Sequence, residues 1–170
     1  ILQDQITYLD NKIYEVEMDG RMSSYEITLK QLEPMKVIVT RDVAPVKEDI
    51  GATMAALRER LRAYNVYPTA PQMAIFPEYI HPINNIPIEV AQPTDSVVPL
   101  GDDVQERLIP GITVASVIHT GSSDMAPAWV ALNEWIQRNS YRISGGFREI
   151  FLYEPLDKDA EKYAFDLQFP

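Results

Sequence analysis

Residues 86–93 read Ile86-Pro87-Ile88-Glu89-Val90-Ala91-Gln92-Pro93, and residues 163–170 read Tyr163-Ala164-Phe165-Asp166-Leu167-Gln168-Phe169-Pro170. Each octet has an acid at its fourth place, an aliphatic residue at its fifth and a proline at its eighth. Working backwards, Met73-Ala74-Ile75-Phe76 lines up with Arg148-Glu149-Ile150-Phe151. The chain reads as a duplication. A charge standing in one copy only, Glu149 against Ala74, marks the first place to look for function.

The same order of elements surrounds both octets. In the first copy, Met35 to Val43 is rich in β-branched residues and predicts a strand. Pro45 suits a helix entry, with Glu48 and Asp49 in the first turn facing the helix dipole. Ile50, Met54, Leu57, Leu61 and Tyr64 then recur on one helical face, and Asn65 and Pro68 end the helix. Strands follow at 72–76 and 86–92. In the second copy, Ile112 to His119 is the strand. Ser123 or Asp124 caps a helix with Pro127 in its first turn. Its apolar face is Met125, Trp129, Leu132 and Ile136, with Trp135 beside it, and Asn139-Ser140-Tyr141 ends it. Strands at 147–153 and 162–169 flank a charged loop at Asp157-Lys158-Asp159. A polar connection, Thr94 to Gly101, joins halves at about 25–95 and 105–170, and Tyr25 to Leu32 alternates as a further strand. The expected fold class is α+β: a tandem pseudo-twofold strand-helix-strand-strand repeat with antiparallel sheets and both helices on one side.

Leu2, Ile6, Leu9, Ile13 and Val16 follow the spacing of a coiled-coil seam. Two readings fit: a short helix packed on its own domain, or the end of a dimerisation helix. The expected division is a helix at 1–20 and a domain at 21–170. The chain starts at Ile1, so an upstream segment is expected.

The chain has 170 residues, 46% of them hydrophobic, which is enough for one sizeable core. Its formal charge of −10 would repel a phosphate backbone, so direct nucleic-acid binding by this segment is not expected. Cysteine is absent, which excludes disulfides and thiolate chemistry. No secretory signal pattern or membrane-length apolar run is present, and a cytoplasmic location is expected. His81 and His119 without cysteine make no structural zinc set, and neither a Rossmann nor a Walker motif appears. No metal or cofactor is expected.

Strand alternation puts Phe147, Glu149, Phe151 and Tyr153 on one face, and Arg148, Ile150 and Leu152 on the other. The second set is expected to meet the helices. Glu149 is then either a solvent-facing carboxylate or an anionic anchor among rings. An ionised carboxylate in an apolar site needs compensation, which a lipophilic cation supplies by charge and by cation–π contact. Glu89 and Asp166 occupy equivalent places, either as an acid–base pair or in structural contacts at the strands.

Together these residues resemble a known family. Val114-Ala115-Ser116-Val117-Ile118-His119-Thr120-Gly121, the helix with Trp135, Asn139-Ser140-Tyr141, Arg148-Glu149-Ile150-Phe151-Leu152 and Asp166-Leu167-Gln168-Phe169-Pro170 resemble, in order and spacing, the GyrI-like effector-binding domain over residues 24–170. The segment 1–17 resembles the linker helix of MerR-family regulators. The resemblance implies a ligand-sensing domain of a multidrug-type transcriptional activator. It would bind lipophilic, cationic small molecules, dimerise through its N-terminal helix, and reach DNA only through a missing N-terminal domain. It places Glu149 at the base of an aromatic pocket; the candidate ring contacts in this chain are Phe76, Phe151, Tyr153 and Trp129, with Tyr67 and Tyr141 as further ones and Asp166 beside them. Two departures stand out: Ser122-Ser123 follows the turn where the family often has an aromatic, and Phe165-Asp166 replaces a common Thr-Glu. Two alternatives remain, a small-molecule hydrolase using Glu149 with Asp166 or Glu89, and a protein-interaction module like gyrase-modulating relatives.

Overall fold

The computed structural model of the chain describes residues 25–44, 50–76, 86–97, 101, 104–122, 124–153 and 163–170. The heptad segment, His81, Ser123, the helix entry at Pro45 to Asp49 and the Asp157-Lys158-Asp159 loop lie outside them. The described elements, in order, are β1 (Ile27–Leu32), β2 (Met35–Ala44), α1 (Ile50–Ala63), β3 (Met73–Phe76), β4 (Ile86–Pro93), β5 (Gln105–Ile109), β6 (Ile112–Gly121), α2 (Ala126–Arg138), β7 (Phe147–Tyr153) and β8 (Tyr163–Phe169).

The strands form one eight-stranded sheet in the order β1-β6-β8-β7-β3-β4-β2-β5. Every neighbouring pair is antiparallel. The expected α+β duplication is thus a single sheet. Its pseudo-twofold axis runs between β3 and β7, where Ala74 lies directly opposite Glu149. Away from the axis the halves match in register: Ile38 lies opposite Gln92 in one, and Ala115 opposite Phe169 in the other.

Strand β5 was not expected. Its burial alternates poorly and its residues Gln105, Glu106 and Arg107 are polar, so it carries no apolar period to reveal it. With it, each copy gains a leading arm, and the arms are exchanged. β1 precedes the first copy but pairs with β6 of the second; β5 precedes the second but pairs with β2 of the first. The links are two residues each, Glu33-Pro34 and Pro110-Gly111. They join strands from opposite halves of the sheet order, so the sheet must curl until Leu32, Met35, Ile109 and Ile112 share a corner. Gly111 sits there because a Cβ would come 2.8 Å from the Leu32 carbonyl oxygen and 3.2 Å from Pro34 Cδ.

The helices close alike. The Val66 N–H donates to the Leu61 carbonyl and Asn65 N–H to Arg62; Tyr141 N–H donates to Ile136 and Ser140 N–H to Gln137. These are two Schellman motifs, with Asn65 (φ 53°) and Ser140 (φ 61°) taking the left-handed position. At the start of α2, Asp124 Oδ1 accepts from the Ala126 N–H at 3.1 Å.

Both helices pack on one sheet face. Met54, Leu57 and Leu61 of α1 and Met125, Ala128, Leu132 and Ile136 of α2 share a core with Ala74, Phe76, Ile88, Val90, Val117, Phe147, Phe165, Leu167 and Phe169. On the opposite face, Val37, Val39, Met73, Ala91 and Ile109 form a smaller cluster, joined by Ile75 and Ile150. This reverses the assignment expected for β7. Phe147, not Ile150, meets the helices, because strand alternation fixes which residues share a face but not which face the helices cover. No helix among the described residues is long and apolar enough to cross a membrane.

Candidate functional site

Glu149 is 1% exposed, on the helix-covered face. Along β7 it stands between Phe147 and Phe151, with Ala74 of β3 and Leu167 of β8 opposite it. Ala74, fully buried, is the counterpart of Glu149 in the first copy. The rings on this face form two groups. Phe76 stacks on Phe147 with centroids 4.3 Å apart. Trp129 meets Phe147 and Phe169 edge-on at 4.9 Å each. Phe151 meets Phe165 edge-on at 5.1 Å. The Trp129 Nε1 is buried without a hydrogen-bond partner among the described residues. An indole N–H usually finds an acceptor when buried, so Trp129 holds an unused donor in this ring set.

The other expected residues fall elsewhere. A β-bulge between Phe151 and Tyr153 breaks the alternation and sets Tyr153 opposite Ala164, leaving it 54% exposed. Tyr67 is 73% exposed after α1. Tyr141 stacks on Trp135 at 5.6 Å and lines a cavity of about 250 Å³ with Leu29, Ile136 and Phe169, away from Glu149. So the structure gathers Phe76, Trp129 and Phe151 on the face of Glu149 and leaves the three tyrosines apart. Phe147 stands on that face as strand alternation predicts, and Phe165 and Phe169 join it without having been singled out; the repeated octet and strand period were the signals that could have found them.

Asp166 lies on the opposite face from Glu149. Its β7 partner is Ile150, and it accepts hydrogen bonds from Ser116 Oγ, from Gln168 Nε2 at 2.9 Å and from Lys30 Nζ at 2.9 Å. Glu89 also sits away from Glu149, held in a bidentate bond by Arg107 at 3.1 and 2.6 Å. These two ion pairs are pseudo-symmetric. Lys30 pairs in register with Val114 and Arg107 with Val37, which are equivalent positions in the two copies. Each arm thus carries a cation to the acid of the other copy. Glu89 and Asp166 are therefore ties between halves, and neither shares a face with Glu149 for two-carboxylate catalysis.

His119 is buried at the end of β6. Its Nε2 lies 2.9 Å from the Ser122 carbonyl, which can only accept, so Nε2 carries the proton. Its Nδ1 lies 2.8 Å from Tyr25 Oη, which donates to it when the ring is neutral. Burial, and secondarily the Asp124 carboxylate, push the Tyr25 phenol above its ordinary pKa, which keeps this donor protonated. A larger cavity of about 560 Å³ opens over β1 and β6, lined by Tyr25, Thr28, Lys30, Ser116, Ile118 and Thr120. Neither cavity includes Glu149. Among the described residues no group of three His, Asp or Glu side chains could hold a metal ion.

A model of the GyrI-like small molecule binding domain matches residues 25–170. The chain belongs to the GyrI-like family. Its fold is that of the EcmrR C-terminal domain, with 20% identity over 87% of this chain and 98% of that one (TM-score 0.77). The likeness extends to EcmrR in its DNA complex, at 18% identity and TM-score 0.80 over 99% of this chain, which spans 65% of that protein's length. A hydrolase from Listeria innocua is similar at 9% identity and TM-score 0.61, over 92% of this chain and 96% of that one. SAV2435 bound to tetraphenylphosphonium is similar at 14% identity and TM-score 0.53, over 85% of this chain and 93% of that one. Comparison with curated proteins finds no significant match.

Proposed function

We propose that this GyrI-like domain is the ligand-sensing part of a cytoplasmic MerR-type transcriptional activator and that it binds lipophilic cations at Glu149. The observation that carries the reading is the burial of Glu149 at the pseudo-twofold axis, on the ring-bearing face, where the other copy has Ala74. A buried carboxylate rewards a ligand that brings positive charge and apolar surface together. Phe76, Phe147, Phe151 and Trp129 supply the rings, and the Trp129 N–H favours a cation that also presents an acceptor. Tyr67, Tyr141 and Tyr153 take no part in this floor. The likeness to EcmrR in a DNA complex supports the regulator reading, and the tetraphenylphosphonium complex of SAV2435 supports the ligand class. In the regulator, residues 1–20 would form the linker through which two copies dimerise. The ligand shifts the regulator only by its differential affinity for two states.

The test is a titration with tetraphenylphosphonium, followed by Trp fluorescence, of the wild type and Glu149→Gln. The substitution is nearly isosteric and removes the charge. Affinity should fall at least about tenfold, the equivalent of about 1.4 kcal/mol. Unchanged affinity in the variant, or binding of neutral and anionic analogues alone, would remove Glu149 as the anchor. The hydrolase reading gains no support from the acids, since Glu89 and Asp166 are tied up on the other face.

A further inference from the structure

We infer that the sheet face turned away from the helices carries a second site, for a small oxyanion held by Arg148 beside the Arg107–Glu89 pair. The argument begins with symmetry. The matched charges, Lys30 with Asp166 and Arg107 with Glu89, neutralise each other across the halves. Arg148 has no such match, because its counterpart in the first copy is Met73. Glu149 and Arg148 are thus neighbouring charges of opposite sign, both confined to one copy and pointing to opposite faces.

Arg148 is half-buried and makes no hydrogen bond or ion pair among the described residues. Its register neighbours are Gln168 on β8 and Ile75 on β3, and beyond Ile75 stands Glu89, which holds the Arg107 guanidinium. The two guanidiniums therefore share this face on either side of Ile75, with one carboxylate between two positive charges. Burial and the nearby Arg107 both lower the pKa of Arg148. Arginine does not relieve such a position by deprotonating. Glu89 is committed to Arg107, and no described acid makes an ion pair with Arg148. Beside it, the Gln168 Oε1 is buried with no hydrogen-bond partner among the described residues, although its Nε2 donates to Asp166.

The guanidinium fork matches the two oxygens of a carboxylate or a phosphate. Ile75 and Ile150, both partly exposed, offer an apolar wall, and the Gln168 Oε1 offers an acceptor to a hydroxyl on the same ligand. The large cavity over Ser116, two strands from Arg148 on the same face, provides an approach.

The probes are sodium benzoate and inorganic phosphate, with chloride as control at constant ionic strength. Binding is read by thermal shift and by the Arg148 Nε–Hε resonance. Saturable stabilisation and a moving Arg148 signal are expected with benzoate, phosphate or both, and the stronger of the two identifies the source chemistry. Arg148→Gln should weaken binding at least about tenfold, and Arg148→Lys should retain part of it. Equal effects of chloride, or equal binding by wild type and a folded Arg148→Gln, would overturn the site. If Arg148→Gln fails to fold, the resonance in the wild type decides: an Arg148 signal unmoved by either saturating anion rejects the proposal.

Discussion

Asp166 takes three donors, and its place in the molecule follows from them. Lys30, Ser116 and Gln168 each lose a partner when the carboxylate is removed. Lys30 is 36% exposed and can turn to solvent, which limits the loss. Asp166→Ala is therefore expected to cost about 1–3 kcal/mol in urea unfolding, while tetraphenylphosphonium affinity stays within about twofold, far short of a tenfold step. A tenfold loss of affinity would bring Asp166 back into the cation site. Phe147 makes the opposite case. It is fully buried beneath Phe76 and Trp129, so Phe147→Ala is expected to cost about 3–5 kcal/mol and to red-shift Trp129 emission. At this scale Glu149 was legible as a residue, because Ala74 stood against it. Its burial was not, because alternation says nothing about what covers a face.

The helices were readable because their signals are local. Met54, Leu57 and Leu61 recur with the helical period, and Asn65 and Ser140 stand where each chain turns away. The arms were not readable, since β5 has a polar, mostly exposed run and earned its strand only by pairing with β2. The β7 bulge was equally hidden: it moves Tyr153 out of the alternation through its register with Ala164, a property of two strands together. The tight element is the β5–β6 link. Gly111→Ala would drive a methyl against the Leu32 carbonyl and Pro34, and should destabilise by about 1–3 kcal/mol, measured by chemical denaturation. No change would mean that the two links do not press together at the corner.

Over the whole molecule, the arms and their ion pairs bind two similar halves into one curled sheet. Lys30→Met and Arg107→Met each remove one tie between halves, and the two ties share no partner. Their stability losses should add within about 0.5 kcal/mol in a double-mutant cycle. A larger coupling would show that the two ties act as a single lock. The sequence by itself determined the duplication, the helical faces and the one-sided charge Glu149, because period and repetition are carried by residues near one another in the chain. Only the tertiary structure decided which sheet face the helices cover, that Glu89 and Asp166 serve the arms, and that Arg148 lies over a face with Arg107. Those outcomes depend on pairings between distant strands, and the free energy that selects them comes from burying both copies at once rather than from any segment alone.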